Sequence, residues 1–221
     1  MICVDIDIHP GTQDLPQEPR APFRPTTRST AGLRRDHAAR RCASRLLWQQ
    51  EAAPDQPRQG HLFAILDAAC DRGIYAGLQH FAAWHHVVPL YQGTDAGNLA
   101  AVGPHLLCLG TTDEIFDWIW ENFWGEAWGI FFWSPAPAGQ LGAHFRRHLL
   151  ARTTDGERLV FRFYDPRVLL PFLPTCTAAQ LRDFFGPVQH FALQDDDGAA
   201  IVTLRREAGR LITRTSRLAA E

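Results

Sequence analysis

Asp67 and Asp165 each stand at the end of an apolar run, LFAIL at 62–66 and LVFRFY at 159–164. Open α/β sheets gather ligands at the carboxyl ends of their strands, so these two acids are the first candidates for general acid/base work. The same residues have a structural reading. An acid at a strand end caps the turn that follows, and Asp165 before Pro166 is a turn former in its own right. An aspartate that takes up a phosphoryl group also wants a second acid two positions on, where Ala69 stands. His144 and His148 are spaced i, i+4, which can grip a metal from one helix face. Two arginines stand between them where a zinc hydrolase carries glutamate, and no third ligand is evident. His80, His85 and His86 have no carboxylate partner in the sequence, and DDDG at 195–198 lacks the alternate spacing of a calcium loop. Cys70 has no nearby base, and neither G-x-S-x-G nor a P-loop occurs. No catalytic constellation, metal site or cofactor is expected. A small cytoplasmic hydrolase using the strand-end carboxylates Asp67 and Asp165 is the alternative.

Aromatic residues and arginine remain. WIWENFWGEAWGIFFWSPAP at 118–137 holds five of the seven tryptophans. Burying one tryptophan removes about 150–250 Å² from water, about 4–6 kcal/mol at about 25 cal/mol per Å² as an upper bound. Five exposed together forfeit more than the roughly 5–15 kcal/mol by which a domain is stable. Most of them therefore belong to a core. Within WGIFFW, Trp128, Ile130 and Phe132 are expected on one face of a strand, and Phe131 and Trp133 on the other. FRFYDPRVLLPFLP at 161–174 mixes the residue types enriched at protein interfaces. Arg162 and Tyr164, on the more polar face of their expected strand, and Arg167 beyond it are the candidates for contact with a partner.

These residues sit in a chain of 221 residues, 46% apolar and 21% charged, with a net charge of -2. That composition builds a core and draws neither nucleic acid nor an anionic membrane. All 22 basic residues are arginine. Five scattered cysteines suggest neither a disulfide framework nor a zinc site and fit a reducing cytoplasm. MICVDIDIHP has no cationic leader and no apolar run, so no secretory signal is expected there, and no stretch of about 18 uncharged apolar residues suggests a membrane span.

Residues 1–45 are rich in proline and arginine and read as an extension, mobile or loosely helical. A helix from Leu33 to Gln50 has a thin apolar stripe of Leu33, His37, Ser44 and Leu47. Its arginines read as a solvated face rather than a nucleic-acid arm. The main domain is expected over 46–193, with a hairpin strand and a charged tail over 194–221. LFAIL reads as a strand buried on both faces, followed by a helix over 72–84. HHVVPLY reads as a strand that Pro89 pushes to a sheet edge, and HLLCLG as another short apolar run. Thr112 starts a helix, Leu141, Phe145 and Leu149 mark the next, and residues 159–164 form a strand. Thr177 and Gln180 match a capping box, Gly186 and Pro187 end that helix, and DDDG turns a hairpin. The fold class is α/β: a mixed sheet of about four to six strands with helices on both faces and an appended C-terminal antiparallel hairpin.

HLFAILDAACDRGIYAGL, WGEAWGIFFWSPAP, HFRRHLLARTTDGERLVFRFYDPRVLLPFLP and AAQLRDFFGPV resemble, in order and spacing, the bacterial domain of unknown function 4123. Members of that family act as type VI secretion adaptor chaperones. The resemblance covers about 46–193 and is most specific in FRFYDPRVLLPFLP and WGIFF. It implies a cytoplasmic, non-enzymatic protein that binds a cognate toxin effector and helps load it onto a VgrG-type spike. The motif positions are Asp67, Trp128, Gly129, Phe163, Tyr164, Asp165, Pro166, Arg167, Phe185 and Gly186. From these and from the residue types, Arg162, Tyr164, Arg167, Asp165, Asp67 and Trp128 form the expected partner-binding set. The first 45 residues lie outside the resemblance.

Overall fold

A computed structural model describes residues 36–48, 60–82, 86–92, 99–109, 114–152 and 157–218. Its elements, in chain order, are α1 (His37–Trp48), β1 (His61–Asp67), α2 (Arg72–Phe81), β2 (Val87–Pro89), β3 (Pro104–Cys108), α3 (Glu114–Phe123), β4 (Gly129–Ser134) and α4 (Ala138–Arg146). They continue with β5 (Leu150–Arg152), β6 (Arg158–Val160), α5 (Pro166–Phe172), a 3₁₀ turn (Leu173–Thr175), α6 (Ala178–Phe185), β7 (His190–Gln194), β8 (Ala200–Glu207) and β9 (Arg210–Arg217).

Seven strands form one sheet in the order β2-β3-β1-β4-β7-β8-β9, and every pairing in it is antiparallel. The architecture is mixed α/β, as expected. The sheet has more strands than the four to six expected, and its pairings are antiparallel rather than mixed. Among the described residues β5 and β6 pair only with each other. β1 lies between β3 and β4, and six of its seven residues are buried. That is why its apolar run is continuous rather than alternating.

The pleat of β1 sorts two cores. Leu62, Ala64 and Leu66 face the layer of α1, α2 and α3, where Ile74, Leu78, Ile115, Phe116, Ile119 and Trp120 pack. Phe63 and Ile65 face α4, α5 and α6, where Leu141, Phe145, Leu169, Phe184 and Phe185 pack. Helices therefore cover both faces. The tryptophan-rich segment is interior: Trp120, Trp124 and Trp128 are buried and Trp118 and Trp133 partly so. Ile130 and Phe132 fall in one core and Phe131 and Trp133 against the other, as the alternation requires. Trp128 departs from it. It precedes the strand, joins Phe131 on the α1–α3 side, and meets that ring edge-on with centroids 5.0 Å apart.

Three other expectations change. The run at 159–164 is a strand only at 158–160, and Phe161 onward turns away to enter α5. The Asp165 amide donates to the Arg162 carbonyl at 2.9 Å, closing a turn that tucks Phe163 and Tyr164 inward. The charged tail is β9, an edge strand joined to β8 through Ala208 and Gly209. Both of those residues have positive φ, 47° and 78°, the conformation of a two-residue hairpin that follows the strand twist. The buried stripe of α1 is Ala39, Ala43 and Leu47, one turn apart each, rather than a line through His37 and Ser44. Arg40 pairs with Asp117 of α3, and the Trp133 indole donates to the Leu47 carbonyl at 2.8 Å, so α1 is fixed to the sheet across residue 45. The expected readings of residues 1–35 and of the start of α3 at Thr112 lie outside the described residues, as do His85 and Trp84.

Candidate functional site

At the carboxyl end of β1 the chain turns through Asp67–Cys70 towards α2, and Asp67 points inward with 1% exposure. One carboxylate oxygen accepts from the Ala69 amide at 3.0 Å, and the other is bonded to the Arg162 guanidinium, 95 residues further along. Asp165, 3% exposed, is the N-cap of α5. Its Oδ1 accepts from the Arg167 amide and Nε, each at 3.0 Å, and its Oδ2 accepts from the Arg167 Nη2 at 2.7 Å. The Arg162 Nη2 also stands 4.0 Å from that Oδ2. The result is a chain of alternating charge, Asp67–Arg162–Asp165–Arg167, that fastens the DPR turn to the end of β1.

Both acids are thus brought together, across one guanidinium. Each of their four oxygens already has a donor from the chain, and both side chains are buried, so neither carboxylate is presented to a small molecule. A general base needs a lone pair within hydrogen-bond reach of the proton it takes. Tyr164 lies beneath the pair, 2% exposed, its hydroxyl 3.4 Å from that of Tyr91 and its ring 6.0 Å from the Arg162 guanidinium carbon. Burial, then the Tyr91 hydroxyl and the Asp67 carboxylate, push the Tyr164 hydroxyl well above its ordinary pKa. Burial and Asp67 push the Cys70 thiol up to about 11, leaving it protonated and a poor nucleophile.

The six residues of the expected partner-binding set divide by exposure. Arg167 has 49% of its side chain in solvent and Arg162 31%. Asp67, Asp165, Tyr164 and Trp128 are buried, and a molecule docking at the cluster meets the two arginines that Asp67 and Asp165 hold in place. Trp128 stands apart from the ion-pair chain. Its indole donates to the Gln194 Oε1 at 3.1 Å, which also accepts from the Gly125 amide at 3.0 Å, while the Gln194 amide nitrogen is bonded to the Glu126 carbonyl. This buried glutamine on β7 clamps the turn between α3 and β4. Nothing local in the sequence marks it; neither was Tyr91 marked, since its partner lies 73 residues away.

The paired histidines on and after α4 are interior. The His144 Nε2 donates to the Phe184 carbonyl at 2.9 Å, and its Nδ1 accepts from Arg147 at 3.0 Å, so both ring nitrogens are occupied. Burial, and then the charge of Arg147, lower its pKa. The His148 ring meets it edge-on, 4.8 Å between centroids, and burial brings its pKa down to about 3. Among the described residues no group of three or more His, Cys, Asp or Glu side chains is placed to hold a metal, and no helix is long and apolar enough to cross a membrane.

Two motif glycines are required by close approach. A Cβ on Gly129 would overlap the Ile65 carbonyl oxygen where β4 meets β1. Gly186 ends α6 at φ +47°, and a Cβ there would enter the His144 ring. The family model for the domain of unknown function DUF4123 matches residues 62–183, more than half of the chain. The chain belongs to the DUF4123 family. No curated protein and no solved structure matches it. The DUF4123 match begins in β1 and ends in α6, so it contains Asp67, Arg162, Tyr164, Asp165 and Arg167 together. Gln194 and the strands β7–β9, which complete the DUF4123 sheet here, lie beyond it.

Proposed function

We propose that this DUF4123 protein is a non-enzymatic adaptor chaperone. It binds a cognate type VI secretion toxin effector in the cytoplasm and promotes the effector's loading onto a VgrG-type spike. The observation that carries this reading is the disposition of the charged cluster. Its two acids are turned inward as fasteners with every oxygen engaged, Arg162 is mostly buried against Asp67, and Arg167 is turned outward with half of its side chain in solvent. A guanidinium fixed by Asp165 with half of its side chain in solvent is a contact device for an acidic or aromatic group of a partner. The resemblance of the FRFYDPRVLLPFLP and WGIFF blocks to the adaptor family gives the contact its biological setting. The hydrolase alternative requires Asp67 or Asp165 to meet a substrate, and no feature of the geometry favours it.

The test is co-expression with the toxin and spike proteins encoded beside the gene. The reading expects the toxin to co-purify and to reach the spike only when the adaptor is present. It also expects Arg167→Ala to weaken toxin capture about tenfold while the protein stays folded, with stability lowered by only about 1 kcal/mol. Soluble toxin and spike that bind neither the protein nor each other through it would overturn the proposal.

A further inference from the structure

Among the described residues β9 is the last strand of the sheet, eight residues long, and bonded on one side only. Its register with β8 closes on the pair Glu207–Arg210 across a two-residue turn, where the facing residues exchange both hydrogen bonds. Arg210, Ile212, Arg214 and Ser216 therefore bond to β8. Leu211, Thr213 and Thr215 direct their amides and carbonyls away from the sheet. Six of the eight residues are exposed, among them Ile212, one of four large apolar side chains left exposed among the described residues.

Positive charge predominates on this hairpin: Arg205, Arg206, Arg210, Arg214 and Arg217 are all exposed, and Glu207 lies 3.8 Å from Arg205. Arg210, Ile212 and Arg214 share one face of the strand. Arginine along an open edge repels a second copy of the same edge, the usual defence against sheet-to-sheet association. The same row attracts an extended segment carrying the opposite charge, and the backbone groups between the arginines supply the ladder that a nucleic acid has no means to use. We infer that β9 is a docking edge for an extended acidic segment of a partner polypeptide, which adds as an eighth strand. The segment's pattern is acid, any residue, apolar, any residue, acid, so that its carboxylates meet Arg210 and Arg214 around Ile212. The pattern reads the same in both chain directions. This edge lies outside the charged cluster at the end of β1, and the inference stands whether or not the partner is a secreted toxin.

The probe is a fluorescent peptide, Ser-Glu-Thr-Val-Thr-Glu-Ser, titrated against the full chain. The inference expects saturable binding that weakens with salt, slowed amide exchange at Leu211, Thr213 and Thr215 on saturation, and no binding of the peptide with lysine in place of glutamate. Thr213→Pro removes one outward amide without touching the β8 ladder and is expected to weaken binding at least tenfold. Arg210→Glu/Arg214→Glu serves as the second variant, with the same loss expected and the backbone unaltered. Wild-type affinity in both variants overturns the inference. Tighter binding of a single-stranded oligonucleotide that Thr213→Pro leaves intact overturns it in favour of nucleic acid. Slow exchange at Thr213 without any peptide, released by Ile6→Pro, overturns it in favour of the chain's own ICVDIDI segment at 2–8. Toxin capture that survives both variants leaves the adaptor proposal standing while this one falls.

Discussion

Replacing Arg162 by alanine tests the claim that the charged cluster is a fastener first and a contact surface second. Asp67 is 1% exposed and keeps only the Ala69 amide when the guanidinium is removed. Stripping one partner from a buried ion pair costs about 3–5 kcal/mol, because the remaining charge is neither solvated nor paired. Arg162 itself has 31% of its side chain in solvent, so water takes part of its place and the lower range applies, about 2–4 kcal/mol. Asp67→Asn in the same chain removes the stranded charge while keeping an oxygen for the Ala69 amide. The double variant should therefore recover about half of the loss, a coupling of about 1–2 kcal/mol for two groups in contact. Arg167→Ala should cost only about 1 kcal/mol, since its head is 49% exposed and Asp165 retains the Arg167 amide as a donor. Urea unfolding followed by tryptophan fluorescence measures the wild type, the single variants Arg162→Ala, Asp67→Asn and Arg167→Ala, and the double variant, because Trp120, Trp124 and Trp128 are buried in the folded state. A loss below about 1 kcal/mol for Arg162→Ala, or a double variant as unstable as the two singles summed, refutes the fastener.

Gln194→Leu strands the buried Trp128 indole N–H and the Gly125 amide together, and at about 1–3 kcal/mol for an unsatisfied buried donor it should cost about 2–5 kcal/mol in the same urea assay. Ala208→Asn relieves a left-handed alanine at φ 47° in the β8–β9 turn and should raise stability by about 0.5–1 kcal/mol; a lower melting temperature would count against the hairpin. Burial lowers the pKa of His148 from 6.5 to about 3 and, followed by the charge of Arg205, that of His190 to about 4. In both cases the unfolded chain takes up a proton near pH 6.5 that the folded chain refuses, so their stabilisation is full above pH 6.5 and declines towards pH 4 for His190 and pH 3 for His148. The slope is at most about 1.4 kcal/mol per pH unit for each ring. His190→Phe should flatten its share of that slope between pH 6.5 and 4, and an unchanged slope in thermal melts would contradict the assignment.

What the sequence made readable is what neighbouring residues decide. The capping box of Thr177 and Gln180 forms as expected, because both partners lie within one helical turn. Asp165 caps α5 for the same local reason, and the indole cluster is interior because its burial free energy leaves no other place for it. The run at 159–164 misleads because a turn that tucks Phe163 and Tyr164 inward produces the same alternation of apolar and polar residues as a strand. β9 hides for the opposite reason: most of an edge strand's side chains face solvent, and RLITRTSR shows little of the apolar period by which strands are recognised. The Arg162–Asp67 pair and the Gln194 clamp join residues 95 and 66 positions apart, and no local pattern encodes such contacts.

The family match ends inside α6, yet the folded unit does not. Without β7, the edge of β4 bearing Phe131, Phe132 and Trp133 would be open, an apolar edge of the kind that aggregates. β7 closes it, and Gln194 on that strand fastens the turn that leads into β4. β8 and β9 then carry the sheet outward from an apolar edge to an arginine-lined one, and Leu218 returns to the core with its amide on the Ala199 carbonyl at 2.8 Å. The strands past the match therefore exchange an edge that any apolar segment would join for one that selects by charge. Truncation at residue 183 should leave an insoluble protein, even though every residue of the Asp67–Arg162–Asp165–Arg167 chain would still be present.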